Sequence, residues 1–239
     1  MEKIEIGNCI LYHGDCYDVL KEIETNSITL IHSDPPYMMH SETSKQNEKN
    51  TVLVRDFWNK VQDADIIDGF DYSIFTEWDR VLKCPNYQLW CSKKQFADYL
   101  NMAIANDWTW QDIMLYRNNP IPAINGKFLD KDYCIMMWKG RKLTGTFNDK
   151  HTDYHWNIGC KKEWNHPTMK PVKPCEHLIR VGSDENDIVL DPFMGSGTTG
   201  EACIRQNRKF IGIEKNDEFF KMACRRIQKC VGEKTVELW

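Results

Sequence analysis

Ile188-Val189-Leu190-Asp191-Pro192-Phe193-Met194-Gly195-Ser196-Gly197-Thr198-Thr199-Gly200 is an apolar run that ends in an acid, a proline and an aromatic, then enters a glycine turn. The run predicts a strand over 187–191, and helical spacing resumes over 198–205. Gly195, Gly197 and Gly200 therefore form a literal G-x-G-x-x-G between a strand and a helix. Glycines permit such a turn and let a ligand approach the backbone. The next predicted strand, 209–214, ends in Glu214, about 20 residues on, where an acid binds ribose hydroxyls. A tight turn without a ligand is the plain alternative, but the order strand, turn, helix, strand, acid favours a nucleotide-like ligand.

A nicotinamide oxidoreductase carries a fingerprint of this form. Here, however, only one predicted strand and one helix (217–229) follow the glycines, too little chain for a second nucleotide unless the order is permuted. Asp191 also sets a carboxylate at the mouth of the turn. That disfavours a phosphate and favours an ammonium or sulfonium cation.

Outward from this stretch, the chain alternates strands (8–13, 27–33, 87–91, 108–116, 133–138) with helices (17–24, 70–82, 93–106, 171–181). Alternation of this kind implies an α/β domain with a mostly parallel sheet covered on both faces. Residues 38–69 are polar and poorly periodic, as expected of a functional loop, and 140–165 show no clear period.

The strand at 27–33 runs into Asp34-Pro35-Pro36-Tyr37. Two prolines fix a rigid frame and donate no backbone hydrogen bonds, so their carbonyls are free to accept. Asp34 adds an acceptor and Tyr37 a stacking face. A planar ring carrying an amino group needs all of these. The plain reading, a strand-to-loop turn, accounts for the prolines but not for the acid and the aromatic.

At 239 residues, with 41% hydrophobic and 28% charged residues, the chain suits one large domain. No apolar run approaches bilayer length, and residues 1–5 lack the apolar core of a signal peptide, so a cytoplasmic protein with no membrane contact is expected. The ten cysteines show no Cys-x-x-Cys pair; reduced, mostly buried thiols are expected, with no metal. The net charge of −4 does not advertise nucleic-acid binding, although a local basic face suffices. Basic residues gather at Lys45, Lys49 and Arg55, at Lys139, Arg141 and Lys142, and at Lys161 and Lys162, each cluster also readable as solvated surface.

Together these motifs resemble the amino-directed DNA methyltransferases of the permuted β group. Asp34-Pro35-Pro36-Tyr37 is similar to the family's catalytic motif, and Asp191 to Thr199, with Pro192, Phe193 and Ser196 in place, to its cofactor motif. His166-Pro167-Thr168-Met169-Lys170-Pro171 resembles the stretch that precedes the cofactor motif, and Gly14-Asp15-Cys16 the acidic position that reaches the cofactor's adenine. Glu214-Lys215 closes the strand that carries the ribose-binding acid.

The resemblance implies a circularly permuted Rossmann-like fold with a mostly parallel seven-stranded sheet and one antiparallel strand. It implies S-adenosylmethionine as cofactor, double-stranded DNA as substrate, base flipping, an association with restriction-modification, and a homodimer. Asp34, Pro35, Pro36 and Tyr37 become catalytic candidates. Asp15, Cys16, Asp34, His166, Thr168, Lys170, Asp191 to Phe193, Gly195 to Thr199, Glu214 and Lys215 become cofactor candidates. The basic clusters and Arg117 become DNA-contact candidates, with 38–69 a mobile loop and 140–165 a short target-recognition insertion within a single domain, 1–239. An aspartate at the first position of the catalytic motif is typical of the adenine-N6 enzymes and a serine of the cytosine-N4 enzymes, which leaves cytosine as the alternative within the class. A non-catalytic nucleic-acid-binding module is the more distant alternative.

Overall fold

The computed structural model describes residues 1–37, 69–117, 132–144, 153–156 and 169–237. In chain order the elements are β1 (Glu2–Ile6), β2 (Cys9–His13), α1 (Cys16–Val19), a 3-10 turn (Leu20–Glu22), β3 (Leu30–Ser33), α2 (Ile74–Val81), β4 (Asn86–Cys91), α3 (Lys93–Ala105), β5 (Thr109–Arg117), β6 (Asp132–Trp138), β7 (Asp153–Trp156), α4 (Val172–Gly182), β8 (Ile188–Asp191), α5 (Thr198–Arg205), β9 (Lys209–Glu214) and α6 (Asp217–Glu237).

The nine strands form one sheet in the order β1-β2-β9-β8-β3-β4-β6-β5-β7. From β2 to β4 every neighbour is parallel. β6 runs antiparallel to both β4 and β5, so the seven strands β2 to β5 contain the single reversed strand expected. Two edge strands bring the count to nine rather than seven: β1, antiparallel to β2, and β7, parallel to β5.

β3, β4 and β8 lie in the middle of the sheet with nearly every side chain buried, and the polar ones among them, such as His32, Ser33, Asn86 and Gln88, are hydrogen-bonded there. On one face α4, α5 and α6 contribute Leu178, Ile179, Cys203, Ala223 and Ile227 to the core. On the other, α2 and α3 contribute Phe75, Trp78, Tyr99 and Ala103. Chain order reverses between β8 and β3: the chain goes from β8 to β9 on one side and from β3 to β4 on the other. Ligands of open α/β sheets bind outside the carboxyl ends of the strands at such a switch point. Both sequence motifs leave the sheet there.

The expected helix over 17–24 is one turn of α-helix and a 3-10 turn, because the backbone becomes extended at Ile23 and turns at Asn26 with φ +56°. The last helix is longer than expected and continues to Glu237. The nine cysteines among the described residues are free thiols, and seven of them are buried. No helix among the described residues is long and apolar enough to cross a membrane.

Candidate active site

A cavity of about 370 Å³ opens across the carboxyl ends of β2, β9, β8, β3 and β4. Its floor is the glycine turn. Gly195 and Gly197 take φ +51° and +79°, the left-handed region that glycine occupies without strain. At Gly197 an added Cβ would also stand 3.0 Å from Ala223 Cβ and 3.1 Å from Ala223 Cα, so the glycine serves the packing of α5 on α6.

Glu214, at the end of β9, stitches this floor together. Its Oε2 accepts the Gly195 N–H and its Oε1 the Asn216 N–H, both at 2.8 Å. Burial pushes its pKa up, against the two backbone bonds. Each carboxylate oxygen has a second lone pair, so acceptor capacity remains for a diol. At the neighbouring strand end, Asp15 accepts the Tyr17 N–H at 2.9 Å and caps α1. Cys16 is buried in the cavity wall, and its thiol is pushed up to about 12 by burial, so it acts as an apolar surface. Lys215 lines the same end.

Asp191 does not present its carboxylate to a ligand as the sequence suggested. It is 2% exposed; Oδ1 accepts Ser33 Oγ at 2.6 Å and the Phe193 N–H at 3.1 Å, and Oδ2 accepts Thr199 Oγ1 at 2.6 Å. Desolvation raises its pKa to about 6 in spite of these donors. The acid is thus turned inward as a tie between β8, β3 and α5, because β3 offers a hydroxyl at the adjacent position. Ser196 and Thr198 likewise turn their hydroxyls to the buried guanidinium of Arg226, at 3.3 and 2.9 Å.

The Asp34 corner stands directly beside this tie. Asp34 is 25% exposed on its side chain and lines the cavity. Its Oδ1 accepts the Tyr37 hydroxyl at 2.6 Å, and its Oδ2 accepts Lys170 Nζ at 2.7 Å. Lys170 Nζ also donates to the Tyr37 hydroxyl at 2.5 Å and lies 5.1 Å from the Tyr37 ring centroid. Gln95, the N3 residue of the α3 capping box, donates to the carbonyl of Pro36 at 2.9 Å, which leaves the Pro35 carbonyl without a partner among the described residues. Lys170, expected at the cofactor, is therefore found at the acceptor corner.

Pro192, Phe193, Thr198 and Thr199, named above as cofactor candidates, line the cavity. Lys139, Arg141 and Lys142 do not approach it: they follow β6, the reversed strand, and so emerge at the opposite end of the sheet. Arg141 pairs there with Asp184 and Asp187 at 3.2 and 3.7 Å, and Lys139 with Asp107 at 3.6 Å. Arg117 closes β5. Lys45, Lys49, Arg55, Lys161, Lys162, His166 and Thr168 lie outside the described residues, as does nearly all of 38–69. Sequence reasoning missed His32 and Trp90 in the cavity wall, and Phe70, whose ring is tilted by 56° against Phe193 at 5.5 Å between centroids. A histidine ending an apolar run was the available signal for the first.

Three acids, Asp15, Asp34 and Glu214, face the cavity against two lysines, while Asp191 lines it with its carboxylate turned away. A pyrophosphate would meet a net negative wall; a nucleoside with a cationic tail would not. Phe193 and Phe70 form an apolar wall of the cavity, and Glu214 keeps acceptor capacity beside the glycine turn.

A family model described as DNA methylase matches residues 28–225. Type II methyltransferase M2.LlaDCHI of Lactococcus lactis subsp. cremoris is 31% identical over 257 residues, covering 94% of this chain and 91% of that protein. Type II methyltransferase M2.DpnII of Streptococcus pneumoniae is 29% identical over 251 residues, covering 92% and 89%. Among solved structures, the M1.HpyAVI-SAM complex superposes with a TM-score of 0.64 at 25% identity, over 90% of this chain and 98% of that one. The cytosine-N4-specific PvuII DNA methyltransferase gives 0.69 at 17% identity, over 95% and 91%, a likeness of fold alone.

Proposed function

The chain belongs to the DNA methylase family, and on that premise we propose that it methylates the exocyclic N6 amine of an adenine flipped out of double-stranded DNA at a specific sequence, with S-adenosylmethionine as donor. The observation that carries this reading is the bond from Ser33 Oγ to Asp191 Oδ1, which fixes the Asp34 corner against the glycine turn in one cavity.

The donor fits the cavity on the chemistry of its lining: acceptors at Glu214 for ribose, an apolar wall at Phe193 and Phe70 for a ring, and carboxylates of Asp15, Asp34 and Glu214 for a cation. When bound, it supplies an electrophilic methyl on a sulfonium, which leaves as a C–N bond forms and returns its bonding pair to sulfur. The chain's own residues work on the amine. An adenine amine is a weak nucleophile because its lone pair is delocalised into the ring. Asp34 and the Pro35 carbonyl accept its two N–H bonds, which favours a pyramidal nitrogen with its lone pair directed at the methyl. Asp34 also offsets the positive charge that develops on nitrogen before the proton departs. Tyr37 offers its ring face to the flipped base.

DNA reading is assigned to 38–69 and to 140–165, the latter with β7 in it, and the reading extends to a homodimer on the family likeness. Expression in a host free of DNA methylation, followed by mapping of modified bases, tests it. N6-methyladenine confined to one sequence is expected. N4-methylcytosine would move the chain to the other amine, and an unmodified genome would refute the assignment.

A further inference from the structure

His32, on β3 two residues before Asp34, is 1% exposed and lines the same cavity. Its Nδ1 stands 2.8 Å from Gln88 Oε1. The Gln88 amide is oriented, because its Nε2 donates to the Leu178 carbonyl at 2.7 Å. Nδ1 must therefore carry the hydrogen, and Nε2 is a bare acceptor. Among the described residues it has no hydrogen-bond partner, although His32 lines the cavity. Burial lowers the imidazole's pKa to about 4, so the lone pair stays available at neutral pH. A buried acceptor without a partner is unfavourable and calls for an explanation.

Lys170 is 7% exposed and carries the ammonium that occupies Asp34. Both groups lie against Trp90: the His32 ring at 6.5 Å between centroids, edge-on, and Lys170 Nζ at 5.5 Å from the centroid. In this arrangement Asp34 has a hydrogen bond on each oxygen and a cation 2.7 Å away. A carboxylate neutralised in that way cannot stabilise a developing positive charge fully, and the incoming amine competes with the ammonium for Oδ2. Lysine is a flexible stem with a compact charge and can change partners at modest cost.

Building on the adenine reading, we propose that Lys170 is a two-position residue: it guards Asp34 when no base is present and moves to His32 Nε2 when the target amine takes Asp34. The free enzyme is thereby held with a neutralised acceptor corner, and arrival of an amine, rather than of any flipped base, exposes the charge of Asp34. His32 and Lys170 are positioning residues in this scheme. Trp90, whose buried Nε1 also has no partner among the described residues, offers the moving ammonium its ring face.

The test is a double-substitution cycle read as single-turnover methyl transfer, with H32F, K170M and the pair. With Lys170 present, H32F is expected to slow transfer roughly tenfold or more. In the K170M background the same change should cost no more than about twofold, because no ammonium needs a second partner. Equal losses in both backgrounds would show a merely structural histidine and overturn the proposal.

A second readout keeps it falsifiable if H32F folds poorly. In protein labelled with 15N-histidine and saturated with S-adenosylhomocysteine, the His32 Nε2 resonance should take on hydrogen-bonded character when a duplex carrying the target adenine is added. It should not do so when purine, which lacks the amine, replaces that adenine, nor in K170M. A resonance unchanged by adenine, including one already bonded in the free protein by a fixed water, would overturn the proposal. Absence of transfer by the wild type would instead refute the functional reading itself.

Discussion

Asp34 and Tyr37 are close in sequence, but the third member of their cluster, Lys170, comes from 133 to 136 residues away. The tetrapeptide alone shows an acid, a rigid frame and an aromatic; it cannot show that an ammonium sits between them. For the same reason, a local reading cannot reveal that the Pro36 carbonyl is taken by Gln95. Tyr37 has two separable roles, a ring face for the base and a hydroxyl that holds Asp34. Tyr37→Ala should lower kcat/KM for DNA by the worth of one stacked base, about 1–3 kcal/mol, or roughly 5- to 150-fold. Tyr37→Phe should keep most of that stacking. Steady-state kinetics on both variants checks this, and equal losses would assign the role to the hydroxyl.

At the scale of elements, β8, the glycine turn and α5 were legible because strand, turn and helix each carry a strong local signal. The edge strands β1 and β7 were not: at five and four residues both are too short to carry a clear period, and β1 has no fully buried side chain. The orientation of Asp191 was not legible either, because its three donors come from β3, the turn and α5.

That tie has a pH signature. Asp191 titrates near 3.8 in the unfolded chain and near 6 in the fold. The folded state therefore keeps the proton over a range in which the unfolded chain has released it. This contribution is fully present below about pH 4 and is lost as pH rises through 6, on the order of 2–3 kcal/mol. Buried His32, lowered to about 4, contributes a slope of the opposite sign, so the tie is read as a difference. Urea unfolding between pH 4 and 7 should give wild type and Asp191→Asn pH dependences that differ by this slope, and equal pH dependences would place the titration elsewhere. Gly197→Ala, with its Cβ forced into φ +79° and against Ala223, should destabilise by at least about 1–2 kcal/mol, read as a lower urea midpoint at unchanged m.

At the scale of the molecule, the switch between β8 and β3 decides where everything happens. It brings an early motif and a late motif to one cavity, which is how a permuted chain order still yields a single site. Sequence order alone already argued against a dinucleotide, and the acid-rich wall supplies the physical reason. Basic residues were the least legible feature, since a cluster such as Lys139 to Lys142 can lie on either end of the sheet, and strand direction places it away from the cavity. A ligand that binds only the folded protein stabilises it, by about 2.7 kcal/mol at 100 times Kd. S-adenosylmethionine at that excess should raise Tm by roughly 5–10 °C, and NAD by nothing measurable.

The account rests on a carboxylate that acts on an amine across from a methyl donor. Asp34→Asn keeps the shape of the corner and removes its charge. Single-turnover transfer of a labelled methyl group to DNA, with S-adenosylmethionine affinity measured in parallel by calorimetry, should fall by at least about 100-fold in this variant while donor affinity stays within roughly threefold. Transfer by Asp34→Asn at close to the wild-type rate would contradict the account.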